Sequence, residues 1–112
     1  MRPDGGYRMF ELSTGINDDS KYVIAVKGEV DIYSAPSFKE SLYQSICDVN
    51  QDIVLDCSGL TYIDSMGLGI LVGVLKRVRE KGCNMIIRNP RNTVRKLFKI
   101  TGLDKAFVIE EV

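Results

Sequence analysis

At 112 residues the chain is long enough to bury one hydrophobic core and too short for two. Fifteen basic and fifteen acidic residues cancel, so the charge balance advertises no nucleic acid or other polyanion as a partner. Histidine is absent, which removes the usual base of a serine hydrolase and the commonest zinc ligand.

Three cysteines, Cys47, Cys57 and Cys83, form an odd set without metal-ligand spacing. They read as small buried hydrophobes in a reducing, cytoplasmic setting, and neither a metal nor a cofactor is expected. The opening Met1-Arg2-Pro3-Asp4-Gly5-Gly6 is polar, and no apolar run approaches the roughly 20 residues that span a bilayer. No signal peptide and no membrane partner are therefore expected.

In chain order, Tyr7 to Leu12 has weak strand character, and Thr14 to Asp19 carries turn chemistry. Tyr22 to Val26 is a β-branched strand closed by Lys27-Gly28, and Glu29 to Tyr33 reads as a loop or short extended piece. Ser34 as N-cap, with Pro36 in the first turn, starts a helix whose Phe38, Leu42, Ile46 and Val49 recur at core spacing. Ile53 to Cys57 is a nearly continuous apolar strand, as expected when both faces are covered, and Ser58 to Tyr62 leads to the next helix. That helix runs to about Lys81 and stops at Gly82. Met85 to Ile87 is a strand. Asn89-Pro90 reads as N-cap and first position of a last helix with Val94, Leu97 and Phe98 inward and Gly102 as its stop. Ala106 to Ile109 is a final strand. The expected fold is α/β: a single domain over 1–112 with a mixed sheet of four to five strands and helices from β-α-β crossovers. In such sheets, sites gather where strands end and helices begin. Glu29–Ser34 and Leu60–Gly67 are the two candidate loops, and each delivers a carboxylate and a serine.

The second loop opens the helix around which the chain is organised. Ser65 suits an N-cap, and Asp64 places negative charge at the positive end of the helix dipole. Gly67 and Gly69 each cost about 1 kcal/mol of helix propensity, so they ask for a reason. Either they pack tightly against a strand, or they let another molecule approach the backbone. At about 100° per residue, Leu68, Leu71, Leu75 and Val78 form a core stripe. Met66, Gly69, Ile70, Gly73, Arg77 and Glu80 fall opposite, where the first two turns are small and apolar. Such a cluster beside a helix start predicts a protein-docking surface.

Gly28-Glu29-Val30-Asp31-Ile32-Tyr33-Ser34-Ala35-Pro36, followed by Tyr62-Ile63-Asp64-Ser65-Met66-Gly67-Leu68-Gly69, resembles the bacterial anti-sigma factor antagonists of the STAS-domain family. The resemblance extends to Ile100-Thr101-Gly102-Leu103 and implies a single STAS-like domain. It also implies a cytoplasmic partner switch in transcription control, of the stress-response or sporulation kind, that is not an enzyme. Its unphosphorylated form would bind an anti-sigma factor that is also a serine kinase and so release a sigma factor. That kinase, holding the ATP itself, would phosphorylate Ser65, and a serine phosphatase would reverse the step. Asp31, Tyr33, Ser34, Asp64, Met66, Gly67, Leu68, Gly69, Ile70 and Gly73 are the partner-binding residues the resemblance and the helix faces together suggest. The family often has a second serine or threonine after the acceptor. Here that residue is Met66, which leaves a single acceptor.

Other classes fit less well. A serine hydrolase lacks its histidine, and Asp64-Ser65-Met66-Gly67 lacks the nucleophile elbow. A response-regulator receiver would use Asp56, read as lying at a strand end, but its other acids and its lysine are not clearly supplied. A STAS-type interaction module in another signalling assembly is the nearer alternative.

Overall fold

The computed structural model describes residues 10–16 and 20–112. Its elements are β1 (Phe10–Ile16), β2 (Tyr22–Val30), α1 (Ala35–Ile46), β3 (Ile53–Ile63), α2 (Ser65–Glu80), β4 (Met85–Arg88), α3 (Asn92–Thr101) and β5 (Val108–Glu110), with a 3-10 turn at Leu103–Lys105. The sheet order is β1-β2-β3-β4-β5. β1 pairs antiparallel with β2, and every later pairing is parallel, so the sheet is mixed as expected.

Strand boundaries depart from the expectation where tertiary pairing overrides local turn chemistry. Thr14, Gly15 and Ile16 are strand, held by partners Ile24, Val23 and Tyr22. The expected strand start at Tyr7 to Met9, and the turn residues Asn17 to Asp19, lie outside the described residues. β2 continues through Gly28 to Val30, and β3 through Gly59 to Ile63, so Ser58 to Tyr62 is not a connecting loop. Gly28, expected to close its strand, and Gly59 do not break the ladder. They instead pair with Leu60 and Lys27, beside two register shifts in the β2–β3 ladder. A Cβ at Gly59 would come within 2.7 Å of Lys27 Cγ, so the two strands close there because glycine occupies the position.

Two helix starts also differ. α3 begins at Asn92, not at Pro90, because Asn89 is committed elsewhere. Its backbone is left-handed (φ 55°), its amide donates to Glu110 O at 2.8 Å, and its side-chain oxygen accepts from Val112 N at 2.9 Å. Ser34 precedes α1 but makes no side-chain cap bond to the helix. The helix stops are as expected: Gly82 and Gly102 both adopt φ 78°, which ends a helix without the strain a side chain would bring.

Ile24, Leu55 and Ile87 are registered neighbours across three strands, each fully buried. α1 adds Phe38, Leu42 and Ile46; α2 adds Leu68, Leu71, Val74, Leu75 and Val78; α3 adds Val94 and Phe98. Val49 follows α1 and packs half-buried against this core. Val54 is fully buried and Asp56 half-buried on the alternate side of β3. Cys57 lies in the core, and burial, reinforced by the Asp56 charge, pushes its thiol up to about 12, so it stays neutral and inert. α1 has no basic residue in its last turn. Lys81 supplies one from the end of α2, donating to Ile46 O, Cys47 O and Val49 O at 2.9–3.0 Å.

Candidate functional site

The site is built by register. Val30 and Ile63, the last residues of β2 and β3, are paired, so the two strands end level with each other. The loops that follow leave the sheet side by side, and Asp64 N donates to Val30 O at 3.3 Å. Glu29–Ser34 and the start of α2, expected from sequence to be the two functional segments, are thereby brought together.

The first segment is a closed turn organised by Asp31. One carboxylate oxygen, Oδ1, accepts from Tyr33 N (2.9 Å), Ser34 N (3.0 Å) and Ser34 Oγ (3.1 Å). Asp31 N donates in return to Ser34 Oγ at 2.9 Å. Ser34 is therefore buried at the base of the turn, and its hydroxyl is used up in holding Asp31. The Ser34 amide, aided by Ser34 Oγ and the Tyr33 amide, draws the Asp31 carboxyl below its ordinary value. What the turn presents outward is apolar: Ile32 is 57% exposed and Tyr33 88%.

The second segment corrects the expected cap. Asp64, not Ser65, is the N-cap of α2: its backbone is extended, and Oδ1 accepts from Gly67 N at 3.0 Å. A carboxylate does both jobs here, since it satisfies a first-turn amide and places charge at the dipole's positive end. Ser65 becomes the first helical residue and is exposed. Gly67 N and Leu68 N are occupied by Asp64, the latter through its carbonyl at 3.0 Å. The amides of Ser65 and Met66 are left facing outward from the helix end, where an anion would be favoured.

The docking set divides by burial. Met66 is half exposed, Gly69 is exposed with open space where a Cβ would stand, and Ile70 is half-buried. Gly67 and Leu68 point the other way. Leu68 is core, and a Cβ at Gly67 would lie 2.5 Å from Ile63 Cγ1 and 3.0 Å from Val30 Cγ1. Gly67 is thus a packing glycine that seats α2 on the strand ends, and Gly69 is not. Gly73 is half covered by α1, since a Cβ there would run into the Tyr43 hydroxyl. That tyrosine ring lies under the Arg77 guanidinium at 5.1 Å and Lys39 Nζ at 5.9 Å, so the second turn of the face belongs to both helices.

Two exposed residues beside the site, Ile32 and Tyr62 (49% exposed), were not singled out from sequence. Tyr62 breaks the alternation of β3, where Thr61 and Tyr62 are both exposed between buried Leu60 and Ile63. Asp56 does not stand at a strand end: β3 runs seven residues further to Ile63, and its carboxylate accepts from Ser58 N at 3.0 Å. Among the described residues, no three cysteine, aspartate or glutamate side chains gather to hold a metal. The constellation offers an exposed hydroxyl on a helix end, two carboxylates engaged in local backbone hydrogen bonds, and an apolar surround.

The STAS domain family matches residues 11–112. An anti-sigma-B factor antagonist of Staphylococcus aureus is 33% identical over 93 residues, covering 83% of this chain and 86% of that protein. Its counterpart in Staphylococcus epidermidis is 32% identical over 96 residues, covering 86% and 89%. Among solved structures, an anti-sigma factor antagonist from Mycobacterium paratuberculosis superposes with a TM-score of 0.73 at 27% identity, covering 96% of this chain and 87% of that one.

Proposed function

This chain belongs to the STAS domain family, and from that membership we propose that it is an anti-sigma factor antagonist switched by phosphorylation of Ser65. In the unphosphorylated state it binds an anti-sigma factor through the Asp31–Ser34 turn and the outer face of α2, and thereby frees a sigma factor. The anti-sigma factor is itself a serine kinase that carries the ATP, and a phosphatase restores the binding form. No helix among the described residues is long and apolar enough to cross a membrane, which suits the expected cytoplasmic site of action.

The observation that carries this reading is the Asp64 cap. By taking Gly67 N at 3.0 Å it fixes Ser65 at the first helical position, exposed and just past the paired strand ends from which the Asp31 turn also leaves. Phosphate there would gain the free amides of the helix end while adding about −1.5 to −2 charge. A partner covering Met66, Gly69 and Ile70 would have to desolvate that charge, at a cost of several kcal/mol. The test is capture on immobilised Ser65→Ala and Ser65→Asp proteins from a lysate of the source cell. An ATP-binding protein retained by the alanine form and absent from the aspartate form is expected, and that protein with ATP should add one phosphate to the wild type and none to Ser65→Ala. Equal retention on both forms, or phosphate on the alanine variant, contradicts the proposal.

A further inference from the structure

α3 has two apolar faces, and only one is buried. Val94 and Phe98 enter the core, whereas Ile100, two residues on and so about 160° round the helix, is 81% exposed. With Thr93, Lys96 and Leu97 it forms one wall of an open groove of about 290 Å³ whose other wall is the end of β3 at Tyr62 and Ile63. The groove is predominantly apolar, and its β3 wall ends at Ile63, next to Asp64.

Its rim is basic. Arg95 is paired with Glu111, and Arg91 Nε donates to Ser58 O at 3.0 Å. Lys96 and Lys99, one turn apart on the exposed side, have no carboxylate partner among the described residues. Between Arg91 and Lys105 the only acid is Asp104, which falls after the helix stop at Gly102. We propose that this groove is a second docking site that takes an acidic, apolar segment of a protein partner, its hydrophobic side chains between Tyr62 and Ile100 and its carboxylates against Lys96 and Lys99. A concave slot suits inserted side chains better than a flat lipid surface, and two exposed lysines without a carboxylate partner on its α3 side select an acidic segment. The assignment does not depend on the Ser65 switch.

The probe is a display library of random twelve-residue peptides, selected on the wild-type protein and counter-selected on Ile100→Asp, a change at an exposed position. Enrichment of peptides that combine aspartate or glutamate with leucine or phenylalanine is expected. Lys96→Glu/Lys99→Glu should weaken the best peptide at least tenfold, whereas Gly69→Arg, on the outer face of α2, should leave its affinity within twofold. Selected peptides without an acidic bias, or none that lose affinity on the lysine reversal, overturn the proposal. So would a concentration-dependent dimer of the wild type abolished by Ile100→Asp, or equally lysine-dependent binding to phosphatidylglycerol vesicles, since the groove's occupant would then be a second copy or a lipid surface.

Discussion

Asp31 and Asp64 look alike in the sequence, each followed by a serine and a helix, yet they act differently. Asp64 caps α2 directly, while Asp31 closes a turn around Ser34 and leaves α1 without a side-chain cap. The sequence pattern shows a carboxylate and a serine before each helix, but which of the two caps depends on where the backbone bends, and that is set by the paired strand ends at Val30 and Ile63, a long-range pairing invisible locally. Asp64→Ala should lose about 1 kcal/mol of stability, the usual worth of an N-cap, read as a lower denaturant midpoint at unchanged slope. Asp31 makes a pH prediction. Its folded pKa lies below its ordinary 3.8, so the charged form is the one the fold favours. The stabilisation is fully present above that ordinary value and is lost as pH falls through the lower folded one. The stability advantage of wild type over Asp31→Asn should hold steady from neutral pH to about the ordinary carboxylate range and shrink only below it. An advantage that instead changed between pH 5 and 8 would place the responsible group elsewhere.

At the scale of the element, α2 holds three glycines that sequence cannot tell apart and structure can. Gly67 is closed by Ile63 and Val30, Gly69 meets open space, and Gly73 meets only the flexible tip of Tyr43. Gly69→Ala should stabilise by about 0.5–1 kcal/mol through helix propensity. Gly67→Ala should destabilise by about 1–3 kcal/mol, because buried Ile63 and Val30 must shift. Gly73→Ala should fall between, the Tyr43 hydroxyl swinging aside. Thermal unfolding of the three variants gives the order directly, and a Gly67→Ala protein as stable as Gly69→Ala would contradict the packing described. The core stripe of α2 was legible from its 3.6-residue period, which depends only on local geometry. Val74 escaped because a helix held between sheet and α1 buries a wider arc than one stripe. The C-terminal clasp by Lys81 was illegible too, since it joins residues more than 30 apart. Lys81→Met should cost about 1–3 kcal/mol, leaving three carbonyls without their charged donor.

Over the whole molecule, the fold class and mixed sheet followed from alternating strand and helix patterns, while strand lengths did not, because Gly28 and Gly59 are set by the β2–β3 ladder and not by their own propensity. That same ladder ends level at Val30 and Ile63 and so creates the shared surface of the two loops. On this surface, the proposed phosphate at Ser65 would meet two opposing fields. The helix end favours an anion by roughly 0.3–1 kcal/mol, and Asp64 and Asp31 repel it by a similar, salt-screened amount. These nearly cancel in the free domain, where water solvates the phosphate. They do not cancel under a partner that excludes that water.

The central claim is that Ser65 switches a surface and not the fold. Matched samples of the protein, with and without phosphate on Ser65, should be compared by thermal unfolding and by titration with the captured anti-sigma factor. The account predicts a melting temperature moved by only a few degrees, with affinity lowered a hundredfold or more, about 2.7 kcal/mol. A large fall in melting temperature, or an affinity that phosphate leaves unchanged, would contradict it.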